Sequence, residues 1–130
     1  MPRWVSSWSL ADWWAGLQRS GKTSQDARKD LYPYYREYLR PKTPRARGWL
    51  VTSDQFDAVA SPFGALMTGS PQEVIDKLLT ERELLGIDRF MGQIDFGGMP
   101  PTMVNASIEL LATEVAPTIR KETATSLPTT

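Results

Sequence analysis

Residues 63–94 read FGALMTGSPQEVIDKLLTERELLGIDRFMGQI, two apolar runs on either side of a helical pattern. Residues 63–68 form a short apolar run suited to a buried strand. Gly69-Ser70-Pro71-Gln72-Glu73 then opens a helix. Ser70 is placed as N-cap, Pro71 at the first helical position, and Glu73 at the third, which completes a capping box. Val74, Ile75, Leu78, Leu79 and Leu85 supply a buried face, and Gly86 is positioned for the left-handed residue after the last turn. Residues 87–94 read as a second strand. A strand, a helix and a strand at this spacing imply a parallel β-α-β unit with a right-handed crossover.

Downstream, Asp95-Phe96-Gly97-Gly98-Met99-Pro100-Pro101 reads as a tight loop. Thr102 can cap a last helix with a buried stripe of Val104, Ile108, Leu111 and Val115, and Pro117 weakens its final turn. Residues 121–130, rich in Thr, are expected to fray, with 123–130 a disordered tail. Upstream, residues 24–39 form a helical pattern with a face of Leu31, Tyr34, Tyr35, Tyr38 and Leu39. Pro33 should kink that helix or mark its second part. The tyrosines read as packing residues with wet hydroxyls rather than acids. Residues 40–48 are a basic loop, and Thr52 or Ser53 can cap a short helix through Ala58 that ends at Ser61-Pro62.

Residues 1–23 stand apart as a Trp-rich segment carrying Trp4, Trp8, Trp13 and Trp14. Leu10, Trp13, Trp14 and Leu17 share one face of a short helix, which Ser9 could cap. Such a face docks on the core or another subunit; a membrane-surface helix would want Lys or Arg on its polar face, and this one lacks them. Gly16 to Ser24 reads as a polar connection.

The chain has 130 residues, enough for one domain, with 41% hydrophobic and 23% charged residues and a formal net charge of zero. Residues 1–60 carry ten Lys/Arg against six Asp/Glu, and residues 61–130 carry five against nine. The basic excess between Arg19 and Arg47 reads as a solvated helix face with a basic loop, with a nucleic-acid patch as the sharper alternative. No nucleic-acid partner and no membrane span are expected. The chain contains no Cys and no His. That excludes disulfides, thiolate chemistry and a Ser-His-Asp triad, gives no basis for a metal site, and is compatible with a cytoplasmic location. The N-terminus lacks the uninterrupted apolar run of a signal peptide.

Three stretches together, GALMTGSPQEVIDKLL, LLGIDRFMGQIDFGGMP and SIELLATEVAPTIRKE, resemble the C-terminal end of luciferase-like flavin-dependent monooxygenases. The stretch DARKDLYPYYREYL is similar to the kinked helix that precedes it in one subgroup, so the resemblance covers residues 24–122. It implies α/β architecture: the C-terminal fragment of a (β/α)8 TIM barrel, helix-rich with about two parallel strands. Residues 63–68 and 87–94 would be the seventh and eighth barrel strands. The resemblance also implies reduced flavin mononucleotide (FMN), or a deazaflavin in some relatives, and a small organic substrate with oxygen. A barrel of this kind runs near 250 residues, so a fragment inactive on its own, tending to self-association or homo-oligomers, is expected. No catalytic residue carries over.

Barrel active sites lie at the C-terminal ends of the strands. Here those ends are Gly69 and Ser70 on one side and Gln93, Gly97 and Gly98 on the other. These five are the candidate cofactor-binding residues. Gly69-Ser70 offers backbone N–H groups at a helix N-terminus, although Ser70 is most simply a cap. Gly97 and Gly98 permit close backbone approach to a ligand or serve a turn. Gln93 and Asp95 can point into the barrel mouth, or Asp95 can be a turn acceptor. Two other readings stand beside the flavin protein: a noncatalytic α/β interaction module, and an unrelated small ligand-binding protein.

Overall fold

The computed structural model of the chain describes residues 15–17, 24–95 and 98–124. The elements run in the order β1 (Ala15–Leu17), α1 (Ser24–Leu39), α2 (Ser53–Ala60), β2 (Met67–Gly69), α3 (Pro71–Leu85) and α4 (Pro101–Leu110). A π turn (Leu111–Val115) and α5 (Ala116–Ala124) continue from α4 without a break. The described part is helix-rich, with two short strands paired in parallel, Ala15 opposite Met67 and Leu17 opposite Gly69.

β2 lies between two hydrophobic clusters, because successive strand side chains point to opposite faces. Leu66, just before it, enters a cluster with Leu31, Tyr35, Val51, Phe56, Ala60 and Met99. Met67 enters the other, with Val74, Ile75, Leu78, Leu110 and Val115. All three residues of β2 are buried, as expected of a parallel strand covered on both sides. α1 and α2 thus cover one face, and α3 with the π turn covers the other.

α1 passes through Pro33 without interruption, and its Tyr35 packs as the sequence suggests. The aromatic that seals the first cluster was not foreseen: Tyr32 and Tyr35 lie against Phe56 with ring centres 5.2 and 5.5 Å apart. The Tyr32 hydroxyl donates to the Val51 carbonyl at 3.0 Å. Tyr38, expected on the buried face, is exposed. α2 is capped by Thr52, whose box with Gln55 is complete, and it runs to Ala60 rather than Ala58.

Several expectations need correction. The strand expected at 63–68 begins only at Met67. The residues before it turn back onto α2, with Gly64 N–H donating to Ser61 O and Leu66 N–H to Val59 O, so Phe63 is 96% exposed. The partner of β2 is β1, not residues 87–94. The latter form no strand and hold only an isolated bridge at Gln93. Ile87 is buried and Phe90 and Ile94 are partly covered by the second cluster, so the segment is fixed by side chains without a backbone ladder. Ala15–Leu17 is strand, which overrides the helical reading at Leu17 and the polar connection read from Gly16; tertiary pairing outweighs a weak local periodicity. The Ser9 cap and the helical reading at Leu10, Trp13 and Trp14 lie outside the described residues, as do Trp4 and Trp8.

Thr102 is not a cap: the last helix starts one residue earlier, at Pro101, with Pro100 in the cap position and no side-chain bond. The buried stripe is turned from the expected one, with Ser107, Leu110 and Val115 inside and Ile108 nearly half exposed. Ser107 is tolerated there because its hydroxyl donates to Met103 O at 3.1 Å. Pro117 does not end the helix early. Its missing N–H follows a π turn in which Ala116 N–H donates back to Leu111 O, and widened turns of this kind relieve proline's clash with the preceding carbonyl. Lys121–Ala124, expected to fray, belong to α5.

Candidate functional site

The corner after β2 is built by its sequence. Ser70 Oγ accepts from Glu73 N–H at 3.3 Å, and Glu73 Oε2 accepts from Ser70 N–H at 3.1 Å. Gly69 sits at φ 132°, in the region that favours glycine, and a Cβ there would collide with the Glu73 carboxylate. At the other end of α3, Gly86 takes the left-handed conformation (φ 65°, ψ 35°), and its N–H donates to Arg82 O.

This corner does not fit the phosphate of a flavin. The N–H groups of Ser70 and Glu73 are committed to the cap, Pro71 has none, and the Glu73 carboxylate lies over Gly69. A phosphate held here would first have to displace that carboxylate. The second group is no better prepared. Gln93 is exposed, with its amide donating to Asp95 O at 3.1 Å. Gly98 is an exposed turn residue at φ 75°, and Gly97 lies outside the described residues. Ser70, Glu73 and the Gln93 amide are therefore engaged locally.

The groups with unusual chemistry are elsewhere. Lys77 lies on the inner side of α3 and is only 8% exposed. Its ammonium donates to Ser61 O and Leu66 O, both at 2.8 Å, and so ties the turn before β2 to α3. Burial above all, with the positive charge of Arg28 and against the opposing pull of Glu81 and Glu73, brings its pKa down to about 8. Glu81, one turn on, is pushed up to about 7, again by burial, with Lys77 opposing. Arg28 Nε and Glu81 Oε2 are buried and have no hydrogen-bond partner. Sequence reasoning passed over this group, although the signal was present: Val74, Lys77, Leu78 and Glu81 fall at i, i+3, i+4 and i+7, on the buried stripe itself.

Among the described residues, no group of three or more His, Cys, Asp or Glu could hold a metal ion. No helix among them is long and apolar enough to cross a membrane. No protein-family model matches the chain, and the comparison with curated proteins found no match.

Proposed function

We propose that this chain is the C-terminal portion of a luciferase-like flavin-dependent oxidoreductase barrel, whose flavin walls come mainly from other strands. The observation that carries the reading is the β2–Gly69–Ser70–α3 unit: a parallel strand buried on both faces, a capped helix, and a left-handed glycine stop. This is the repeating unit of a (β/α)8 barrel. It coincides with the stretches that resemble that family. In a closed barrel residues 87–94 would gain a ladder partner, and Phe90 and Ile94, now partly covered, would stay on a packed face.

Reduced FMN or a deazaflavin would supply the oxygen chemistry; this segment's part is to close the barrel and shape the mouth near Gly69 and Gln93. By itself the chain carries no turnover. The test is a chimera in which residues 63–124 replace the last two strand–helix units of a luciferase-like flavin monooxygenase. A chimera that folds and keeps flavin affinity supports the reading, and one that folds and binds no flavin refutes it.

A further inference from the structure

α3 returns along β2 from the corner at Gly69, and the bond from Lys77 to Leu66 O sets the middle of the helix level with the start of the strand. Leu84 is two turns further on, about 10 Å along the axis at ~1.5 Å per residue, and so past the N-terminal end of β2. It is 77% exposed, and Phe63, in the turn that leads into β2, is 96% exposed. A cavity of about 270 Å³ opens between them, with Pro62 and Phe63 on one side and Asp76, Lys77 and Thr80 of α3 on the other. Leu84 follows Thr80 by one turn on the same stripe of α3 and extends that wall.

The cavity wall is balanced in charge, Glu73 and Asp76 against Arg28 and Lys77, so neither sign of ion is favoured. It offers carboxylate acceptors beside an apolar rim. Its complement is an uncharged apolar ring that carries a donor, which describes an indole. The volume lies below the ~300–1,000 Å³ of drug-sized sites and suits one aromatic side chain.

The sequence delivers indoles to this end of the molecule. β1 runs parallel to β2 with Ala15 opposite Met67, so residues 1–14 join the structure at the N-terminal end of both strands. They carry Trp4, Trp8, Trp13 and Trp14 with a single Arg and a single Asp. At ~3.6 Å per residue an extended chain can carry Trp13 up to about 7 Å and Trp8 up to about 25 Å from Ala15. The whole of α3 measures about 22 Å, so the groove is within reach.

We propose that residues 1–14 dock on this groove of their own chain, an indole entering between Phe63 and Thr80 and lying against Leu84. The inference does not depend on the flavin reading.

Tryptophan fluorescence of the full chain tests it. Trp49 is the only tryptophan outside residues 1–14, and it is largely exposed, so W49F leaves an indole signal that comes from the segment alone. In W49F the emission should lie to the blue of the same chain in urea, and acrylamide should quench it less. Adding F63S and L84S should shift the emission to the red and remove much of that protection, with circular dichroism unchanged because both side chains are exposed. If the triple variant unfolds, F63S in W49F decides alone. Docking within one chain keeps the protection on dilution. The proposal is overturned by W49F emission equal to that in urea, or by unchanged emission and quenching in the folded variant. It is also overturned by protection that disappears on dilution as a dimer dissociates in size-exclusion chromatography, which would seat a second copy's segment in the groove.

Discussion

Replacing Lys77 by Met keeps the length and apolar stem of the side chain and removes only the ammonium. Two charge-assisted hydrogen bonds, to Ser61 O and Leu66 O, are lost. At ~1.5–3 kcal/mol each they contribute about 3–6 kcal/mol. Against this stands the cost of burying the charge. The fall of the pKa from 10.5 to about 8 sets a ceiling of about 3 kcal/mol at ~1.4 kcal/mol per tenfold. The hydrogen bonds win, so K77M should be less stable by about 1–3 kcal/mol at pH 7.

The difference should also depend on pH. Between pH 8 and 10.5 the folded Lys77 has released its proton while the unfolded one still holds it, so wild-type stability rises with pH across that window. K77M lacks the rise, and the gap should widen there by about 1–2 kcal/mol after allowance for solvent screening. Glu81, whose upward shift Lys77 opposes, is raised further in K77M, so ionising it above pH 7 costs that variant more and widens the gap in the same direction, while groups that do not sense Lys77 cancel. Urea unfolding of both at pH 7 and pH 10 reads the gap as a shift of midpoint at constant slope. Equal midpoints at pH 7, or a gap that does not grow at pH 10, would refute the assignment of Lys77 as a buried, doubly bonded ammonium.

The corner after β2 offers two further tests. S70A removes the side-chain acceptor for Glu73 N–H and should cost about 1 kcal/mol; an unchanged thermal midpoint would argue against the cap. G69A meets both a positive φ and the Glu73 carboxylate and should cost at least about 1–3 kcal/mol, with the loss again read from the melting midpoint; a neutral substitution would contradict the geometry. The 130-residue chain by itself should bind FMN weakly or not at all and should self-associate. Fluorescence titration with size-exclusion chromatography checks this, and a monodisperse monomer of micromolar flavin affinity would show a self-sufficient site.

Local signals in the sequence were reliable where one residue type serves one conformation. Ser70 with Glu73, Thr52 at the start of α2, and Gly86 at the end of α3 all stand where capping chemistry puts them. The helices over 24–39 and 71–85 follow from their apolar spacing. Pairing was not legible. Which strand lies beside β2 is settled by long-range contacts, and Ala15–Leu17 has no local pattern that names its partner. The stripe of the last helix was misjudged because Ser107 hides its hydroxyl against its own backbone, which composition cannot show. At the candidate site, Gly69 and Ser70 were legible as a strand-to-helix corner and Ser70 with Glu73 as a capping box, but the positive φ of Gly69 beneath the Glu73 carboxylate was not. Lys77 and Glu81 were overlooked because charged residues are read as solvated, although their spacing put them inside.

The flavin affinity of the chimera carrying residues 63–124 tests the central claim most directly. Anaerobic titration with reduced FMN should give an affinity within about tenfold of the parent enzyme, a difference of no more than ~1.4 kcal/mol. A chimera with the parent's circular dichroism and melting behaviour but no flavin binding would contradict the claim that this segment closes a luciferase-like barrel.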